Sequence, residues 1–97
     1  MKDILLNIHH ALDNRHRLAI MKILTSEDWT GFNRLKIELN MTDGNLASHL
    51  TVLLKAGYID KRRMLLMNKK QTAYSANLMG RRALNAHSKA MLDLIQF

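Results

Sequence analysis

The sequence predicts a mostly α-helical domain that carries one small β-hairpin, an α+β arrangement. Three observations predict it. Apolar residues recur at helical spacing in four successive segments up to Ala56. Gly57 then ends that pattern, and a basic stretch rich in strand-compatible residues follows, "YIDKRRMLLMNKKQTAYSA". From Asn77 the helical spacing resumes and runs to about Gln96.

The elements follow in order. Asp3–Leu12 places Ile4, Leu5, Ile8, Ala11 and Leu12 at helical spacing. "LDN" interrupts it, with Asp13 or Asn14 available as a cap for a second helix over about Arg15–Thr25, whose Leu18, Met21 and Leu24 point inward. "SEDWTG" breaks the helix and leaves room for a short extended piece at Asp28–Thr30, a third strand if it pairs, with Trp29 as an aromatic anchor. "FNRLKIELN" makes a short third helix with Phe32, Leu35 and Leu39 on one side. Thr42 caps the fourth helix, because its hydroxyl can accept an orphan backbone N–H of the first turn. Met41 and Leu46 fall where a hydrophobic staple would place them, Leu46, Leu50 and Leu53 line the inner face, and Gly57 supplies the left-handed stop. Tyr58–Met67 and Gln71–Ala76 form the hairpin around a turn at about Met67–Lys70, and Asn77 caps the last helix.

Bulk properties bound the function. At 97 residues and 47% hydrophobic, the chain is expected to form one domain over 1–97. It has no proline, repeat or low-complexity linker. With no cysteine, it has no disulfide and no thiolate metal site. No run of about 18 uncharged apolar residues marks a membrane span, and the N-terminal stretch lacks the apolar centre of a secretory leader. A cytoplasmic location is the expectation. Fifteen Lys+Arg against eight Asp+Glu give +7 and an isoelectric point near 10.2. That balance favours a polyanionic partner through its long-range field.

A short third helix, a tight turn and a fourth helix over about 42–56 describe a helix-turn-helix, and the basic hairpin over about 58–76 describes a wing. The recognition helix of such a unit presents its N-terminal residues to base edges in the major groove. "NMTDGNLASHL" suits that task. Thr42 and Gly44 let the helix start approach phosphate, where free N–H groups and the positive dipole end lie. Asn45 can pair with adenine in bidentate fashion, Ser48 can donate or accept, and Val52 or the Thr51 methyl can touch a thymine methyl. Thr51, Lys55, Arg63, Lys69 and Lys70 are the expected backbone contacts, with Lys61 and Arg62 crowding the same hairpin. The plainer alternatives are a capped helix start on a solvated surface and a sheet edge guarded by lysines. Asp43 opposes phosphate contact and is read as a helix-start stabiliser or a cytosine reader.

The segment "GFNRLKIELNMTDGNLASHLTVLLKAGYIDKRR" resembles the small winged-helix transcriptional regulators related to the MarR and ArsR groups. Their typical text runs through "TDGNLSSHL", a leucine and "EAGYV"; here "MTDGNLASHL", Leu53 and "KAGYI" match it. "RLAIMKIL", "TAYS" and "GRRALNAHSKAML" resemble the family's second helix, second wing strand and terminal helix. The wing tip "MNKK" departs from the family's glycine and proline, and Lys61 replaces a usual apolar residue. The resemblance implies a dimeric DNA-binding repressor or activator, with His49 flanking the DNA face and His87 near the dimer interface.

The first and last helices carry more apolar surface than a small monomer needs. Ile4, Leu5, Ile8, Leu84, His87, Met91, Leu94 and Ile95 are therefore the expected homodimer interface. Two-fold symmetry would set two recognition helices roughly 34 Å apart on a palindromic operator of double-stranded DNA. No metal and no other cofactor is expected, since the five histidines include no His-x₃-His pair. No nucleophile elbow, phosphate-binding glycine loop or paired carboxylates suggest an enzyme. A winged-helix protein–protein interaction module, such as an anti-repressor or assembly subunit, is the alternative. A switch responding to a small effector between the dimer's helices is a third reading.

Overall fold

The computed structural model describes residues 10–96. Most of the first expected helix, with Ile4, Leu5 and Ile8, lies outside the described residues. The part within them, His10–Leu12, is a single 3-10 turn that buries Ala11 and Leu12. Helix α1 spans Arg15–Ser26. Of the two candidate caps, Asn14 takes the role: its side-chain oxygen accepts from the N–H groups of His16 and Arg17 at 2.9 and 3.0 Å. The inward residues include Ile20 as well as Met21 and Leu24, while Leu18 is half-buried against the core.

The extended piece is strand β1, Thr30–Gly31, two residues later than the Asp28 start that the sequence suggests. Helix α2 spans Phe32–Leu39 and is closed by Asn40 in the left-handed region, φ 51°. Asparagine tolerates that conformation better than most residues. Met41 N–H donates to the Lys36 carbonyl at 3.0 Å, and the chain re-enters a helix after only three residues. Helix α3 spans Asp43–Lys55, capped by Thr42, whose hydroxyl accepts from Asn45 N–H at 3.2 Å. Gly57 turns the chain at φ 81°, and Tyr58 N–H donates back to Leu53 O at 3.1 Å.

Strands β2 (Ile59–Leu66) and β3 (Lys69–Ala76) pair antiparallel in unbroken register, from Ile59 opposite Ala76 to Leu66 opposite Lys69. The register leaves a two-residue turn, Met67–Asn68, with both residues at positive φ (52° and 64°). This is the type I′ geometry that matches strand twist. It carries β3 back two residues earlier than the Gln71 start expected from the sequence. Strand β1 pairs with the other edge of β3, so the sheet order is β1-β3-β2. Helix α4, Leu78–Gln96, begins where Asn77 accepts Gly80 N–H at 2.9 Å.

One apolar cluster joins these elements. Leu46, Leu50 and Leu53 from α3 meet Ile20, Met21 and Leu24 from α1, Leu35 from α2, and Ile59, Tyr74 and Ala76 from the sheet. Each fully buried leucine contributes about 1.5–3 kcal/mol. Because α3 spends three leucines on this cluster, its opposite face is fixed toward solvent.

Candidate nucleic-acid interface

That outward face carries the polar tip. Thr42, Gly44, Asn45, Ser48, Thr51 and Lys55 are exposed, and His49 and Val52 are half-buried at its flank. A Cβ built on Gly44 would have no heavy atom within 4 Å, so no internal packing requires a glycine there. Thr42 uses a lone pair for the cap and keeps its O–H proton for an outside acceptor. Thr51 differs: its hydroxyl donates to Ala47 O at 2.9 Å, which leaves the methyl and a lone pair outward. A Thr51–phosphate hydrogen bond would require the hydroxyl to turn away from that carbonyl.

Three partners of this face come from other elements and were not expected. Lys36 Nζ lies 2.9 Å from Asp43 Oδ1, so the carboxylate at the helix tip is neutralised in place. Arg17 Nη1 lies 3.1 Å from His49 Nδ1. The His16 ring stacks on His49, with centroids 5.3 Å apart and planes 16° apart. Burial first, then the electrostatic influence of the Arg17 cation and of His16, hold the His49 pKa below the ordinary histidine range. The two contacts to His49 span more than thirty positions, and the Lys36–Asp43 pair crosses the turn from α2 to α3.

The ribbon divides its charge between two faces. Side chains alternate along a strand and cross-strand partners share a face. Lys61, Arg63 and Leu65 therefore stand with Lys70, Thr72 and Tyr74, while Arg62, Met64 and Leu66 stand with Lys69, Gln71 and Ala73. The first face packs on the core at its base through Ile59, Tyr74 and Ala76 and continues outward as exposed cations. Lys61, with its apolar stem and charged head, is exposed there. On the second face the Arg62 guanidinium sits 4.4 Å over the Trp29 ring, so Trp29 anchors the ribbon's base. Lys69 and Lys70 necessarily point to opposite sides.

A model of a winged helix DNA-binding domain matches residues 16–95. The chain belongs to this family. Its winged helix consists of four helices and the three-stranded sheet, with α2 and α3 as the helix-turn-helix and β2–β3 as the wing. An uncharacterized protein of Methanocaldococcus jannaschii is 31% identical over 78 residues, covering 80% of this chain and 85% of that protein. A transcriptional regulator homologue of Pyrococcus horikoshii OT3 superposes with a TM-score of 0.84 at 25% identity, over 98% of this chain and 92% of that one. A MarR-family transcriptional regulator from Silicibacter pomeroyi shares the fold, with a TM-score of 0.69 at 14% identity, over 96% of this chain and 64% of the other. The winged helix here is thus built as MarR-like regulators are.

The expected dimer residues fall into three groups. Ile4, Leu5 and Ile8 lie outside the described residues. Leu84, Met91 and Leu94 are half-buried, and Ile95 is 75% exposed, with Leu92 beside it. His87 is buried, at 1% exposure, on the inner stripe of α4 with Gly80, Ala83 and Ala90. It backs the exposed apolar face and does not line it. Among the described residues no helix is long and apolar enough to cross a membrane, and no three His, Asp or Glu side chains gather to hold a metal ion.

Proposed function

We propose that this winged helix is a sequence-specific, dimeric transcriptional regulator. Helix α3 enters the major groove, where Asn45, Ser48, His49 and Val52 face bases. Thr42, Gly44, Thr51 and Lys55 lie against the backbone beside them. The wing carries Arg63, Lys69 and Lys70 to phosphates edge-on at the neighbouring minor groove, which uses both faces of the ribbon at once. The observation that carries this reading is the α3 tip: exposed, capped, free of packing at Gly44, and with its one carboxylate already paired to Lys36.

The exposed Leu92 and Ile95, beside half-buried Met91 and Leu94, supply a face for a second copy, and two-fold symmetry then calls for a palindromic site. Selection of bound DNA from a random pool tests the reading. A palindrome with half-sites about one helical turn apart is expected, and Asn45→Ala should lose about 1–3 kcal/mol of discrimination at one base pair per half-site. No enriched sequence would refute it. A stoichiometric protein partner captured in place of DNA would favour the interaction-module reading, which the exposed Ile37 and Met67 also permit.

A further inference from the structure

We propose that Arg17 is a positioning residue that locks His49 as the Nε2–H tautomer, so that His49 meets DNA as a hydrogen-bond donor. The inference deepens the DNA-reading proposal and rests on it. A guanidinium has only donors. With Arg17 Nη1 3.1 Å from His49 Nδ1, that nitrogen must accept, and a neutral imidazole then carries its proton on Nε2.

The arrangement is held from several sides. Arg17 Nε donates to the Ala11 carbonyl at 2.5 Å, which ties the guanidinium to the 3-10 turn. Asn14 caps the N–H groups of both His16 and Arg17 and so fixes the backbone that presents them. The His16 ring lies flat against His49 and resists rotation of the imidazole. Turning the ring over would set a carbon against Arg17 and forfeit the hydrogen bond. Protonating Nδ1 would set two donors against each other. The depressed His49 pKa, from burial and from the neighbouring Arg17 cation, agrees with a neutral ring.

His49 stands one helical turn beyond Asn45, on the same flank of α3. A fixed Nε2–H there can donate only to bases that offer an acceptor. Guanine offers N7 and O6, adenine N7 and thymine O4, whereas cytosine offers only its N4 amino donor. The base facing His49 is therefore expected to exclude cytosine, and to favour guanine for its two acceptors.

The test has two arms, both on the full chain. Long-range ¹H–¹⁵N spectra of the wild type should show a pyrrole-like Nε2 and a pyridine-like Nδ1 at His49. Random-pool selection should disfavour cytosine at one column by about tenfold. Arg17→Met should restore cytosine at that column to within about twofold of the other bases while leaving the Asn45 column intact. Arg17→Lys, which keeps a donor, should preserve both the tautomer and the exclusion, and it also covers the case in which Arg17→Met fails to fold. A wild-type His49 protonated at Nδ1, or an unchanged motif in Arg17→Met, overturns the proposal. If the wild type enriches no sequence, the DNA-reading proposal falls as well, which separates the two failures.

Discussion

Replacing Gly44 by alanine separates what the fold needs from what the surface does. Gly44 is the second residue of α3, and a Cβ there would meet nothing within 4 Å. The substitution therefore adds no clash. It removes backbone freedom from the unfolded chain and raises helix propensity, a gain of up to about 1 kcal/mol in a helix interior and about half that in the first turn. For a domain this size, about 0.5 kcal/mol raises Tm by about 2–4 °C. If the bare backbone at Gly44 lies against a phosphate, the new methyl holds the helix start away from it. Affinity for the selected operator should fall about tenfold, or about 1.4 kcal/mol. Thermal melts followed by circular dichroism and fluorescence anisotropy at fixed salt measure both quantities. A stabilised variant that binds DNA as tightly as the wild type would refute the close approach of α3 to the backbone.

Gly80→Ala should behave oppositely: its Cβ would run into the Tyr58 carbonyl, which already accepts Asn77 N–H at 3.1 Å, so about 1–3 kcal/mol of stability should be lost in a urea melt. Lys69→Ala and Lys70→Ala should each lower the slope of log affinity against log salt by about one. If only one of them does so, the ribbon lies flat on the duplex with a single face. His49 binds its proton less readily in the folded chain than in the unfolded one, whose value is near 6.5. Its stabilising contribution is present above that value and lost as pH falls through the lower folded value. Stability should therefore decline as pH falls below about 6.5, and His49→Gln should decline less in denaturant melts at each pH.

The helices were legible because their determinants are local. Thr42, Asn14 and Asn77 each cap a helix a few residues away, and Leu46, Leu50 and Leu53 announce a buried face by spacing alone. The wing turn was legible in place but not in length or type, because Met67 adopts positive φ without the glycine or asparagine that usually marks the first position of such a turn. The start of β1 was misplaced because Thr30 and Gly31 become a strand only by pairing with Tyr74 and Ala73, more than forty residues on. The same distinction divides the candidate site. Exposure of Asn45 and Ser48 followed from the leucine stripe opposite. The neighbours that tune the site, Lys36, Arg17 and His16, come from other helices or from across the turn, and only the packed structure brings them to α3.

These neighbours also bear on why a basic protein keeps acids beside a surface meant for phosphate. Asp43 sits at the first position of α3, where a carboxylate favours the positive end of the helix dipole. Left bare, it would repel DNA. The Lys36 contact is solvent-exposed and adds little to stability, so its consequence lies in the field at the helix tip. Glu27 is similarly answered by Arg34, which reaches both carboxylate oxygens at 2.5 and 2.6 Å. The ribbon is treated differently. Among the described residues no ion pair engages Lys61, Arg63, Lys69 or Lys70. The net charge of +7 is thus not spread evenly: Asp43 and Glu27 are paired where they stand, while Lys61, Arg63, Lys69 and Lys70 keep their field for an external polyanion. Beyond Asp60 at its base the ribbon carries no acid, whereas both signs occur around α2.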